Sequence, residues 1–197
     1  MSAGFFHSYH LGWTRLDAAT LLGDLEEEGL RPVHPVTGRS VLVSLDHFSS
    51  GARSPVTREQ LLSLSGLQRL QRVGFRLWMD EGPDLLVRIR RARGGVVAVE
   101  FSVGELPPVE RERAVSAVRR TVGRACVLCI GFVVDRSGVT AGTDWDGVVI
   151  EGSAPLDCWP DAIAVRAEIA YRHPQLTVMN ATTISPWKVF GSAVPSL

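Results

Sequence analysis

The sequence predicts an α+β fold with an α/β-like core, a mixed central sheet carrying packed helices. Three stretches carry that prediction. From Asp84 to Arg91, Leu85, Val87 and Ile89 alternate with Asp84, Leu86, Arg88 and Arg90, the period of a half-buried strand. After the turn Ala92-Arg93-Gly94-Gly95, Val97, Val99, Phe101 and Val103 alternate with Ala98, Glu100 and Ser102. Cys126 to Val134 is almost wholly apolar, as a strand covered on both faces should be. Between the last two, Pro107-Pro108 opens a helix with Glu110 and Glu112 in its first turn. Arg119, Arg120 and Arg124 gather at its end, which suits the helix dipole, and Ala114, Val115, Val118 and Val122 form its buried stripe. Gly82 to Asp135 is therefore the structural centre of the chain.

The flanking elements follow from turn and cap chemistry. Residues 1–15 are aromatic (Phe5, Phe6, Tyr9, Trp13) without a period, and read as a cover for an apolar surface. A helix is predicted from Asp17 to Glu28, with Asp17 as N-cap, a stripe of Leu21, Leu22 and Leu25, and Gly29 at C′. Its acidic end, Glu26 to Glu28, reads as a solvated face, with a docking surface for a basic partner as the alternative. Residues 30–45 read as a hairpin around Pro35-Val36-Thr37-Gly38, and Ser49 to Pro55 as a linker. This divides the chain into a small lobe, 1–50, and a main domain, 54–197.

A helix is predicted near Thr57, with a capping box to Glu59 or Gln60 and leucines at 61, 64, 67 and 70. A short strand follows at Arg76–Glu81. Residues 57–135 thus run helix, strand, strand, strand, helix, strand. Beyond Asp135 the expectation is a strand over Gly147–Glu151, then a helix from Asp157 or Asp161 through Ala170. A strand over Leu176–Met179 and an irregular tail from Trp187 complete it.

Composition narrows the function classes. The 197 residues carry no formal net charge, so no global field draws the chain to nucleic acid or an anionic membrane. Lys188 is the only lysine, the mark of a GC-rich bacterial composition. Three cysteines are too few for a disulfide scaffold, and the N-terminus lacks the basic and apolar regions of a signal peptide. No apolar run reaches the roughly 18 residues of a membrane span. The reading is cytoplasmic.

Pro83-Asp84 enters one strand of the central hairpin, and Glu100-Phe101-Ser102 lies in the next. With the element order of residues 57–135, these motifs resemble the core of the PD-(D/E)xK nucleases. The resemblance implies that Asp84 and Glu100 hold Mg²⁺, which polarises a phosphate and activates water, with Glu59 as an additional acid. Ser102 stands where that family has a lysine, and a cross-strand ion pair between Glu100 and Arg88 accounts for both residues without catalysis.

Other clusters read structurally. Cys126 and Cys129 have CxxC spacing, but residues three apart in a strand point to opposite faces, so both read as core thiols. His7 and His10 would share a face only in a helix, and Asp135, Asp144 and Asp146 read as a polar turn.

No Walker loop, nucleophile elbow or dinucleotide fingerprint is present. The reading is a non-enzymatic interaction protein, of protein-binding, adaptor, immunity or assembly type, needing no cofactor. Trp13, Trp145, Trp159 and Trp187 are its candidate contacts, and its partner is another protein or a second copy, without membrane or nucleic acid. The alternative is a metal-dependent nuclease of the PD-(D/E)xK type, or a degenerate inactive relative, with Mg²⁺ on Asp84 and Glu100.

Overall fold

The computed structural model describes residues 4–45, 54–68, 70–79, 82–124 and 128–191. In chain order the elements are β1 (Phe5–His10), α1 (Arg15–Glu27), β2 (Leu30–Arg31), β3 (Ser40–Leu45), β4 (Ser54–Val56), α2 (Arg58–Ser65), β5 (Arg72–Met79) and β6 (Asp84–Arg91). Then come β7 (Val97–Ser102), α3 (Pro108–Arg124), β8 (Cys129–Asp135), β9 (Ala162–Arg166), α4 (Ala167–Arg172), β10 (Thr182–Ile184) and β11 (Trp187–Gly191). No helix among the described residues is long and apolar enough to cross a membrane.

The strands form one sheet in the order β10-β11-β9-β8-β1-β7-β6-β5-β3-β4, with β2 beside β5. Every pairing is antiparallel, so the fold is sheet-dominated α+β, and the expected mixed, α/β-like sheet is corrected. The reason is β1. It pairs antiparallel with β7 on one side and β8 on the other. The two strands joined by α3 are therefore parallel to each other but separated, a split β-α-β arrangement. The helix-strand-strand-strand-helix-strand order over residues 57–135 is present. Residues 1–50 and 54–197, read as lobe and domain, share this one sheet.

The predicted faces of the central hairpin hold. Leu85, Val87, Ile89, Val97, Val99 and Phe101 lie in one core with leucines of α1 and α2 and the Ala114–Val118–Val122 stripe of α3. Phe6 of β1 joins them, stacked on Phe132 at 5.5 Å and edge-on to Phe101 at 6.2 Å. A second core lies on the other face, where Trp145, Val148, Val149, Leu156 and Leu176 cover Tyr9, Val133, Ile163, Val165 and Phe190. Gly131 of β8 permits that closeness, since a Cβ there would lie 2.8 Å from Val149 Cγ1 and 2.5 Å from the Ala164 carbonyl oxygen.

Caps and charges set the helices. The N-cap of α1 is Thr14, not Asp17; Asp17 is the N3 partner of a capping box, accepting from Thr14 N–H at 2.7 Å. Thr57 and Gln60 form the expected box at α2. The acidic end of α1 is not a bare solvated face. Glu28 accepts from Arg120 at 2.7 Å and Arg124 at 3.0 Å, and Glu26 accepts from Arg58 at 2.8 Å. Carboxylates at a helix C-terminus oppose its dipole, and the arginines of α2 and α3 offset that.

Several expected elements differ. Leu30–Arg31 pairs with β5 rather than closing a hairpin with β3. Gly147–Glu151 is a single π-helical turn, and Ala162–Arg166, expected within a helix, is a strand between β8 and β11. Residues 176–179 form turns, whereas Trp187–Gly191, expected to be irregular, is a strand. Alanine-rich AIAVR has helix propensity but is buried on four of its five positions, and pairing on both sides overrides propensity.

Phe6→Ala should lower the unfolding free energy by about 3–5 kcal/mol, because the fully buried ring sits between two aromatic neighbours in the central strand. Urea unfolding measures this; a loss below about 1 kcal/mol would show that β1 is dispensable to the core.

Candidate functional site

The polar residues of the central hairpin collect on the sheet face opposite α1–α3. Register aligns them in rows. Arg72, Arg90, Ala98 and Tyr9 form one row across β5, β6, β7 and β1; Gly74, Arg88, Glu100 and His7 form the next; Arg76, Leu86, Ser102 and Phe5 form the third. Asp84 lies one further step along, opposite Trp78.

Arg90 is the hub of this face. Its Nε donates to Glu100 Oε1 at 2.6 Å, and its two terminal nitrogens donate to both oxygens of Asp146 at 2.8 Å each. Asp146 comes from the loop ahead of the π-helical turn, so one guanidinium ties the C-terminal cover to the hairpin. Burial pushes the Asp146 pKa up, but hydrogen bonding and charge from Arg90 outweigh it and hold the carboxyl below its ordinary value. Arg93 makes a second tie, to Asp144 and Glu151 at 3.0 Å each.

Tyr9 and His7 complete the cluster. Burial first, then the Asp146 charge, raise the Tyr9 hydroxyl well above its ordinary pKa. The His7 ring stacks on Phe5 at 4.2 Å and its buried Nδ1 has no hydrogen-bond partner. Burial lowers His7 to about 4; Arg90 and Arg88 act in the same direction, and Glu100 and Asp146 oppose them. His10 points to the helix side, where Nε2 is 2.9 Å from Ser8 Oγ in a buried hydrogen bond, and burial lowers it also to about 4. A strand thus sends the two histidines to opposite faces.

The structure does not bring Asp84 and Glu100 together. Asp84 accepts from Arg76 at 3.2 Å, and lies four residues from Arg88, the residue opposite Glu100. At strand spacing that is roughly 13 Å, whereas two oxygen ligands of one Mg²⁺ lie within about 4 Å of each other. Glu59 pairs with Arg15 at the start of α2. The ion pair of Glu100 forms with Arg90, not with the directly opposed Arg88, because Asp146 already orients the Arg90 fork. Among the described residues no three His, Cys, Asp or Glu side chains are grouped to hold a metal ion.

The aspartates after β8 serve separate turns. Asp135 accepts from Ser137 N–H and Oγ, Gly138 N–H, and Thr140 N–H and Oγ1, at 2.6–3.1 Å. Burial would raise its pKa, but the Thr140, Ser137 and Gly138 hydrogen bonds outweigh burial and lower it. Asp144 accepts from Gly147 N–H at 3.1 Å.

The tryptophans divide. Trp145 and Trp187 are interior, donating to the Thr140 carbonyl at 3.2 Å and the Cys129 carbonyl at 3.1 Å, so neither ring faces a partner. Trp13 is half-buried and donates to the Ser65 carbonyl at 2.9 Å. Trp159 is 40% exposed. It follows Cys158 at the edge of a cleft of about 390 Å³ lined by Val139, Asp144, Pro155 and Asp157, and Val139 is itself exposed. Cys129 is buried in β8, while Cys126 lies outside the described residues.

Sequence reading did not single out Tyr9 or the Arg90–Asp146 link. Phe5, His7 and Tyr9 alternate with Phe6, Ser8 and His10, so both faces mix aromatic and polar residues and the strand period is hidden. Asp146 reaches Arg90 across 56 residues, a pairing no local spacing encodes. Compared with protein-family models, curated proteins and solved structures, the chain matches none.

Arg90→Ala should destabilise the fold by about 2–4 kcal/mol, since it leaves two half-buried carboxylates without their counter-charge. Arg90→Lys should recover only part, because an ammonium cannot reproduce the fork. Equal denaturant midpoints for wild type and both variants would remove Arg90 from this role.

Stability should also fall as pH drops from about 6.5 to about 4. There the unfolded histidines take up protons that buried His7 and His10 refuse. Each contributes on the order of 3 kcal/mol across that interval, and Asp135 and Asp146 add losses as pH falls through the lower carboxylate range. Unfolding curves of wild type and His7→Gln across this range test it; superimposable pH dependences would contradict it.

Proposed function

We propose that the protein is a non-enzymatic protein-binding module, of adaptor, immunity or assembly type, engaging another protein or a second copy of itself. One observation carries the reading. The sheet face opposite α1–α3 is covered over β1, β8, β9 and β11 by the 136–181 segment, and over β5 Gly74 and Trp78 are buried, whereas part of β6 stays open to solvent. An interior strand with part of one face exposed offers a flat, rigid surface suited to recognition. Leu86 is half-buried there, and Arg88 is exposed. The partly exposed Trp159, beside Val139, provides a second anchor at the rim of the cover.

The chemistry of the same face supports binding over catalysis. Asp84, Glu100 and Asp146 are each engaged by an arginine, so their oxygens are committed to structural ion pairs. A reducing, cytoplasmic setting is part of this proposal, as is the absence of a cofactor requirement.

Light scattering and affinity capture from an extract of the source cells test the reading. The expected result is either a dimer mass or one stoichiometric partner, lost on Leu86→Asp while the thermal midpoint stays within a few degrees. A monomer that retains nothing would overturn it.

A further inference from the structure

A pocket of about 180 Å³ opens between the start of α1 and the end of α3, walled by Trp13, Leu21 and Leu128. Drug-sized ligands take pockets of roughly 300–1,000 Å³, so this one suits a single side chain. His10, the last residue of β1, is the one buried polar group in that lining. It is 2% exposed, and its ring lies 5.2 Å from that of Trp13. Ser8 is fully buried, and its hydroxyl meets His10 Nε2 at 2.9 Å. A buried hydroxyl with one partner donates to it, which leaves the single proton of the neutral ring on Nδ1. Nδ1 has no hydrogen-bond partner among the described residues. An occupant that expelled water from the pocket without accepting from Nδ1–H would leave that donor unsatisfied, at a cost of about 1–3 kcal/mol.

Three conditions on the occupant follow. The walls call for an apolar body, and Nδ1–H calls for an acceptor at its tip. Asp17 and Arg124 line the pocket with opposite charges, which calls for neutrality. Among side chains tyrosine meets all three. Phenylalanine and leucine have no acceptor, tryptophan only donates, and asparagine and glutamine lack the apolar body. Asp17 Oδ2 is taken by Thr14 in the capping box, which leaves Oδ1 to accept the phenol proton. The apolar surface continues past the mouth. Leu11, whose N–H donates to the Leu128 carbonyl at 2.9 Å, is exposed. Leu16, one helical turn before Thr20 of the lining, is 74% exposed. A free phenol would leave those leucines in water, whereas a polypeptide carrying the phenol covers them. Resting on the reading of the chain as a protein-binding module, we infer that this pocket takes a tyrosine side chain of a partner protein. The ring packs against Trp13, Leu21 and Leu128, and its oxygen accepts from His10 Nδ1.

The test titrates the full chain with N-acetyl-tyrosinamide, N-acetyl-phenylalaninamide and p-cresol, following the His10 imidazole and Trp13 indole signals by NMR. The tyrosine probe should bind with a Kd on the order of 1 mM, as a single side chain allows. The phenylalanine probe should bind about tenfold more weakly, since it leaves the Nδ1 donor unsatisfied. Thr20→Trp fills the mouth from an exposed position of α1 and should abolish binding at an unchanged thermal midpoint. Leu128→Glu, also exposed, should weaken binding by about tenfold or more. Signals that no probe moves, equal binding of the tyrosine and phenylalanine probes, or wild-type binding by Thr20→Trp overturns the inference. Tighter binding of p-cresol than of the tyrosine probe overturns the protein partner and assigns the pocket to a free phenol. Capture from extract separates the two levels. A partner held equally by wild type and Thr20→Trp sinks the tyrosine pocket but leaves the protein-binding reading. A chain that binds the tyrosine probe yet retains no partner sinks that reading and leaves a phenol site.

Discussion

Six residues, Phe5 to His10, hold this fold together. They hydrogen-bond to β7 along one edge and β8 along the other, so that the hairpin half and the C-terminal half become one sheet. Without them α3 would connect two strands with a strand-wide gap between them. Phe6 fills the helix-side core, while Phe5 and Tyr9 fill the opposite one. The polar groups of the strand then have to be accommodated at the middle of a sheet. Ser8 and His10 satisfy each other, whereas His7 is stacked and kept neutral. A central strand normally avoids two histidines because burial penalises their charged form. Here that constraint couples the strand joining the two halves of the sheet to pH.

Around this strand, charge is organised by arginine. Arg90, Arg93, Arg120, Arg124 and Arg136 each join segments far apart in sequence, and all but Arg120 meet more than one carboxylate. Most of these links are substantially exposed, and one such pair alone contributes no more than about 1 kcal/mol. Arg90 is the exception, because the arginine is itself only 28% exposed, both its partners are 15–16% exposed, and it satisfies both at once. It ties the cover segment, through Asp146, to the β6–β7 hairpin.

What was legible in the sequence follows the same logic. The β6–β7 hairpin and α3 have one apolar and one polar face, so periodicity alone located them and their buried residues. β1 was hidden because each of its faces carries both aromatic and polar groups. Residues 162–166 were hidden because small alanines fit between β8 and β11, where bulk has no room, and alanine otherwise favours helix. Val148, Val149 and Ile150 have strand propensity, yet Asp144 caps the start of the turn and Gly152 ends it in a left-handed conformation. The candidate site was half legible. Glu100 and Arg90 were visible as a polar face, but Asp146 is brought to them only by the fold, and Asp84 is carried away by the length of its strand.

The two halves of one sheet face differ in composition. Over β1, β8 and β9 the face is apolar, with Tyr9, Val133, Ile163 and Val165 inward, and the chain supplies its own cover. Over β5 and β6 the same face carries Arg72, Gly74, Arg76, Trp78, Asp84, Leu86 and Arg88, a polar mix in which Trp78 is packed against His34. A strand needs a hydrophobic face only where something of its own chain must pack on it. Arg90, bound to both Glu100 and Asp146, is the point at which the covered half and the polar half are tied together.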